Sequence, residues 1–126
     1  MRTPSRTEAD VYVIVVRDFL VHTDLVDTVR EFDPLAIVLS ASDCGDATAL
    51  IAAQSRIAVA FIEAGPAEIV AARLDRMVAD RRGRLVLLGD AAEDAWEEGA
   101  APHLWPTLLR PFSSQAVLSM IEPRNR

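Results

Sequence analysis

The chain has 126 residues, of which 51% are apolar, so it fits one domain with a complete hydrophobic core and is short for two. Nineteen acidic against thirteen basic residues give a net charge of −6, which argues against a general nucleic-acid-binding surface, since such binding depends on neutralising phosphates. No apolar run is long enough to cross a membrane and the N-terminus lacks the apolar segment of a signal peptide, so we expect a cytoplasmic protein that does not contact membranes.

Five apolar segments are typical of β-strands. Most are continuously apolar rather than alternating, as in a parallel sheet that is covered by helices on both faces. In chain order they span residues 11–16, 35–40, 57–63 and 84–89, with a weaker fifth segment around 105–110.

Segments with the apolar spacing of helices follow the strands. Two have clear start signals, namely Pro66 at a first helical position and Ser113 as an N-cap, and Gly99 is a natural residue just beyond a helix C-terminus. The predicted helices are residues 21–32, a short helix after an N-cap at Asp46, a helix from Pro66 to just before Gly83, residues 92–98, and residues 113–121.

Strand and helix thus alternate five times, which predicts an open, mostly parallel sheet with helices on both faces. We expect one domain over residues 11–122, a disordered lead-in over 1–10, a tail over 123–126 and no attached output domain. Functional residues of such sheets collect at the carboxyl ends of the strands. These positions are Arg17, Asp18, Ser40, Glu63, Gly89, Asp90 and Arg110.

Four segments at these strand ends carry a family resemblance. The most specific is residues 109–113, Leu-Arg-Pro-Phe-Ser, and the others are residues 13–19, 38–47 and 97–100. Together they resemble the response-regulator receiver domain (CheY-like), in a degenerate form, along the chain from about residue 11 to 121. The resemblance implies a flavodoxin-like, five-stranded parallel sheet of order 2-1-3-4-5 and a cis peptide before Pro111.

In that family, an Asp after strand three accepts a phosphoryl group and two acidic residues after strand one hold Mg²⁺. This chain departs from the pattern at most of these places. Arg17 replaces the first acidic residue, and only Asp18 is retained. Glu63 is the better candidate for the acceptor place, with Phe61 as the alternative. Gly89 replaces the family's Ser/Thr and is followed by Asp90, and Arg110 replaces its Lys, which is not a neutral exchange.

We therefore predict a switch-like crevice without conventional chemistry. Arg17, Asp18, Glu63 and Arg110 are expected to point into it, where two cations balance two carboxylates and no metal or other cofactor is needed. Glu63 paired with Arg110 or Arg17 would imitate a phosphorylated or metal-bound state. If Mg²⁺ binds weakly, Asp18 and Glu63 are the expected ligands.

Two tryptophans mark the expected contact surface. Tryptophan combines a large apolar area with a polar edge and is frequent at interfaces. In receivers, the face formed by helix four, strand five and helix five is the usual one for partners and dimers. The expected interface residues are Trp96, Trp105, Thr107 and Leu108.

Three functions follow as hypotheses. The first is a receiver-like signalling domain that binds a protein (a kinase, receptor or output protein) or a second copy of itself. The second is an unconventional phosphoacceptor in a two-component phosphorelay, and the third is a module that binds a small anion between Arg17 and Arg110. We expect no enzyme, since Cys44, Ser40, His22 and His103 lack the sequence context of nucleophiles or metal ligands.

Overall fold

The computed structural model describes residues 9–99 and 105–121. Most of the predicted lead-in, the predicted tail 123–126 and His103 lie outside the described residues. Within them the protein is an α/β domain in which parallel strands alternate with helices, as predicted from the sequence.

Four parallel strands form the sheet, in the order β2-β1-β3-β4. All four were predicted, but β2 begins and ends later than expected. A turn at Asp33 explains the later start of β2. The Asp33 side chain accepts the N–H of Leu35 at 3.1 Å, and the backbone carbonyl of Asp33 accepts the N–H of Ala36 at 3.0 Å. The strands are β1 (Val11–Val15), β2 (Ile37–Ala41), β3 (Val59–Glu63) and β4 (Arg84–Leu88).

The predicted fifth strand does not form. Over residues 105–110 the chain makes one parallel bridge, between Thr107 and Leu87. The Leu87 N–H donates to the Pro106 carbonyl at 2.9 Å, and the Leu108 N–H donates to the Leu87 carbonyl at 2.8 Å. Pro106 has no N–H, and the N–H of Arg110 is used by the Glu93 carboxylate, so the hydrogen bonds of a longer strand are not available.

The third predicted helix is two helices. The break is at Arg73, whose φ of 61° lies in the left-handed region. Ile69 and Leu74 are five residues apart and would lie about 140° apart around one continuous helix. The break rotates α4 relative to α3, so that the side chains of Ile69 and Leu74 are both fully buried in the same apolar layer.

The other helix ends follow capping rules. Asp43 rather than Asp46 caps the second helix, because its Oδ1 accepts the N–H of Asp46 at 2.8 Å, so the predicted cap is wrong by one turn. Gly99 has a φ of 66°, as its predicted place after a helix requires. The helices are α1 (Phe19–Phe32), α2 (Cys44–Ala52), α3 (Pro66–Ala71), α4 (Leu74–Asp80), α5 (Asp90–Glu97) and α6 (Ser114–Ile121).

The sheet separates two apolar layers. Side chains alternate along each strand, so Val13 and Val15 of β1 face the helices α2 to α5, whereas Tyr12 and Ile14 face α1 and α6. Because both layers are filled with buried aliphatic and aromatic groups, β1 and β3 are fixed between them. Their carboxyl ends, with Arg17 and Glu63, are thereby held at one edge of the sheet.

Candidate functional site

The carboxyl ends of β1, β3 and β4 meet at a depression of about 190 Å³, which we call the end depression. Among the predicted residues, Arg17, Glu63 and Asp90 line it. It also includes residues that the sequence analysis did not select, namely Ser42, Asp43, Cys44 and Glu68. They come from the β2–α2 turn and from α3, which the parallel topology brings to the same end of the sheet.

Glu63 is the last residue of β3 and is exposed at the end depression. Its Oε1 accepts the backbone N–H of Arg17 at 2.9 Å, which ties the end of β3 to the residue that follows Val16. Phe61, the alternative for the acceptor place, is fully buried in the core. The hydrogen bond thus holds the Glu63 side chain against the end of β1.

Gly89 is required by its contact with Glu63. Its φ is 97°, a backbone conformation that residues with a Cβ rarely adopt, and an added Cβ would lie 2.7 Å from Glu63 Cγ. A serine or threonine at this place would therefore collide with the glutamate as it lies in the structure. The exchange to glycine and the longer acidic side chain fit each other sterically.

Asp18 and Arg110 are not among the residues that line the end depression. Asp18 is instead the N-cap of α1, where its Oδ1 accepts the N–H groups of Leu20 at 2.9 Å and Val21 at 3.1 Å. These bonds satisfy donors that the first turn of a helix leaves free. The Asp18 carboxylate therefore stabilises the N-terminus of α1.

Arg110 pairs with α5 rather than with Glu63. Its Nε donates to Glu93 Oε2 at 2.9 Å, its Nη2 donates to Glu93 Oε1 at 3.0 Å, and Nη2 also bonds to Asp90 Oδ1. These hydrogen bonds lower the pKa of Glu93 and raise that of Arg110. Arg110 is thereby joined to Asp90, which lines the end depression, and to Glu93.

Glu93 is the partner of Arg110 that the sequence did not indicate. From the sequence, Asp90 was the one residue of α5 expected at this site. The available signal was spacing, since Asp90 and Glu93 are three residues apart and share one helix face. What the sequence did not show is that residue 110 returns to that face.

Cys44 lines the end depression and is half-buried. Burial raises the pKa of its thiol to about 11, and the neighbouring Glu68 carboxylate adds to the shift. The thiol is therefore protonated at neutral pH, which is the opposite of what a nucleophilic cysteine needs.

The four predicted interface residues differ in accessibility. Trp96 on α5 is 38% exposed, Trp105 and Thr107 are half-buried, and Trp105 packs against the core layer of Val13 and Val15. Leu108 is buried in the opposite layer, so it is a core residue and not a surface contact. Its neighbour Leu109 is 43% exposed and takes the outward position.

The end depression is a poor fit for Mg²⁺ as a conventional receiver would hold it. The guanidinium-bearing Arg17 stands at the first acidic place, and the Asp18 carboxylate is used by the α1 N-terminus. Over residues 9–99 and 105–121, no three His, Cys, Asp or Glu side chains are grouped as a metal site.

No protein-family model matches the chain, and no curated protein matches it. Among the described helices, none has both the length and the apolar composition needed to cross a bilayer. The peptide between Arg110 and Pro111 is cis.

Proposed function

We propose that this protein is a receiver-like signalling domain that acts by binding another protein, without aspartyl phosphorylation. The observation that carries the proposal is the state of Glu63, at the place of the phosphoacceptor. Its carboxylate accepts the Arg17 N–H at 2.9 Å, and Gly89 leaves the space that its Cγ needs. A fixed negative group thus stands where a conventional receiver changes its charge.

The proposal includes a flavodoxin-like arrangement with the fifth-strand position beside β4. Support comes from the order β2-β1-β3-β4 and from Thr107, which bridges to the outer side of β4 in the parallel sense. Residues 105–110 then follow the path of a fifth strand with a single bridge. In this arrangement the helix after them, α6, packs beside α1 on one face of the sheet.

The proposed mechanism replaces a switch by a fixed conformation. In a phosphorylated receiver, added charge of about −1.5 to −2 creates new hydrogen bonds that reorder nearby loops. Here the loop after β1 is already bonded to Glu63, and Arg110 is already bonded to Asp90 and Glu93 on α5. The surface formed by α5 and residues 105–110 is consequently held in one state without a phosphoryl group.

The proposed contact surface is the exposed apolar part of α5 and residues 105–110. Trp96 lies one turn beyond Glu93 on α5, and Leu109 directly precedes Arg110, so the Arg110–Glu93 pair holds the two elements together. A tryptophan at such a place supplies a large apolar area that a partner can bury. The partner is a protein such as a kinase, a receptor or an output protein, or a second copy.

A backbone amide NMR titration tests the proposal. We expect the spectrum to be unchanged by Mg²⁺ and by Mg²⁺ with beryllofluoride, relative to an addition of KCl at equal ionic strength. Intact mass after incubation with acetyl phosphate should show no phosphoryl group. Shifts at Glu63 and Gly89, or a mass gain that is lost in Glu63→Gln, would instead establish the unconventional phosphoacceptor.

The contact surface is tested with a pair of matched variants. Trp96→Ser and Val70→Ser each remove one exposed apolar side chain, the first on α5 and the second on α3. We expect a partner protein to bind the native chain and Val70→Ser equally, and to bind Trp96→Ser at least about tenfold more weakly, as for a typical interface tryptophan. Equal loss in both variants would contradict this surface.

A further inference from the structure

The outer edge of β2 is the starting point, since among the described strands β2 pairs with β1 alone. The whole segment 34–42 carries no charge, although the chain has a net charge of −6. Edge strands of monomeric proteins are commonly protected by charged residues, prolines or bulges. Residues 37–41, Ile-Val-Leu-Ser-Ala, contain no charge and no proline.

The hydrogen-bonding groups of this edge follow from the register. The Ile37 N–H donates to the Asp10 carbonyl and the Ala41 carbonyl accepts from Val16, so residues 37, 39 and 41 direct their backbone groups toward β1. Backbone groups alternate in direction along a strand, so Val38 and Ser40 direct theirs outward. No described residue hydrogen-bonds to these outward groups.

The two ends of the edge differ, with exposed apolar side chains at one end and an open cleft at the other. At its amino end Leu35 is 62% exposed and Ile37 is 46% exposed. At its carboxyl end an open cleft of about 640 Å³ lies between α1 and α2. We call it the edge groove; its lining is mixed, with the apolar Val16, Phe19, Ala41, Ala49 and Leu50 beside the polar or charged Arg17, His22, Ser40, Ser42 and Asp46.

We propose that the β2 edge binds the β2 edge of a second copy of this chain, antiparallel about a twofold axis at Leu39. Val38 of each copy then exchanges two hydrogen bonds with Ser40 of the other. Ile37 lies opposite Ala41 of the second copy and Leu35 opposite Asp43. The exposed apolar groups at one end of each strand thereby enter the edge groove of the other.

A second copy fits better than an unrelated strand because the edge is complementary to itself. In a twofold contact a charge near the axis would lie close to its own copy, and residues 34–42, which surround the axis at Leu39, carry no charge. The side chains of residues 37, 39 and 41 lie on one face of the paired strands, where they form the apolar pairs Ile37–Ala41, Leu39–Leu39 and Ala41–Ile37. The Ser40 side chain is held by a hydrogen bond, since its Oγ lies 2.7 Å from His22 Nε2.

Sedimentation velocity over a range of concentrations tests the proposal. We expect a monomer–dimer equilibrium whose dissociation constant rises at least about 100-fold in Ile37→Lys, because the axis places each substitution in the interface twice. Val70→Lys is the matched control, since Val70 is 55% exposed on α3, and it should leave the constant unchanged. A monomer at every concentration, or a dimer indifferent to Ile37→Lys, would overturn the proposal.

Cysteine crosslinking tests the register in a Cys44→Ser background. Leu39→Cys should form a disulfide between copies, because residues in a non-hydrogen-bonded antiparallel pair have Cα atoms about 4.5 Å apart, within disulfide range. Ile37→Cys should not, since its counterpart lies roughly 14 Å away along the strand. If Ile37→Cys crosslinks as readily as Leu39→Cys, exposure rather than register explains the result and the proposed pairing is wrong.

Discussion

The two outer edges of the sheet, at β4 and at β2, differ in how they are covered. Beyond β4, residues 105–110 cover the edge, bridge to Leu87 and bury Leu108. Beyond β2 none of the residues in 9–99 and 105–121 forms a further strand, and the apolar side chains of Leu35 and Ile37 are exposed. Every residue of β4 after Arg84 is buried, whereas no residue of β2 is.

This difference shows how a sheet edge can be closed without a regular strand. One bridge suffices at β4 because Leu108 fills the core and Arg110 bonds to α5, so side chains replace most of the backbone ladder. Among the described residues no strand covers the outer side of β2, and β2 itself carries no charge that would repel a partner. The β4 edge is thus satisfied within the domain, whereas the β2 edge is the one that we propose for association.

The largest expected effect comes from the closed edge. Leu108→Ala should lower the free energy of unfolding by about 2–5 kcal/mol, because it removes buried methyl groups and leaves a cavity. Leu109→Ala is the control, since its side chain is largely outside the core, and it should change stability by no more than about 0.5 kcal/mol. Urea unfolding monitored by circular dichroism measures both. Equal losses would mean that residues 105–110 do not close the edge as described.

A smaller effect is expected where β4 ends. Gly89→Ala should cost about 1–3 kcal/mol, since it combines a left-handed backbone with a collision against Glu63. Gly99→Ala has a similar backbone strain, but its added Cβ would meet no atom within 4 Å, so it should cost less. In a double-mutant cycle measured by urea unfolding, Glu63→Ala should relieve part of the Gly89→Ala cost. An additive result would show that the contact with Glu63 carries no energy.

The ion pair that holds the closed edge predicts a pH dependence. Because the Arg110 hydrogen bonds lower the pKa of Glu93 in the folded state, the pair stabilises the protein above the ordinary pKa of glutamate. That stability is lost as the pH falls through the lowered pKa. Arg110→Met should therefore be less stable than the native chain at neutral pH, with the difference shrinking in acid.

Thermal unfolding from neutral pH to pH 3 measures this difference. Arg56→Met, which removes one exposed positive charge elsewhere, is the control and should show no such convergence with the native chain. If both arginine variants follow the same pH profile, the change reflects net charge and not the Arg110–Glu93 pair.

The smallest effect is expected at the open edge. In dilute solution, where the protein is monomeric, Ile37→Lys should change the free energy of unfolding by no more than about 0.5 kcal/mol, because the side chain is already partly in water. Urea unfolding at low protein concentration measures it. A loss comparable to that of Leu108→Ala would show that β2 is part of the core and would remove the contrast between the edges.

The apolar runs located the ends of β1, β3 and β4, but they did not reveal the contacts made there. Arg17 and Glu63 were placed at one edge of the sheet by their position after apolar runs, and the structure brings them together. Asp18 was expected in the crevice because sequence position does not reveal that a carboxylate caps the next helix. Arg110 was expected beside Glu63 because its partner Glu93 lies 17 residues away on another element.

The sequence by itself determined the α/β class, four strands and the places of most helices, because continuous apolar runs, proline and glycine act within a few residues. It also placed Glu63 and Gly89 at strand ends. Tertiary structure decided what the apolar pattern leaves free: that the chain breaks at Arg73 to bury Leu74, and that one bridge replaces a fifth strand. Tertiary structure also decided that, among the described strands, β2 pairs with β1 alone. These three outcomes depend on which distant groups compete for the same hydrogen bonds and core space.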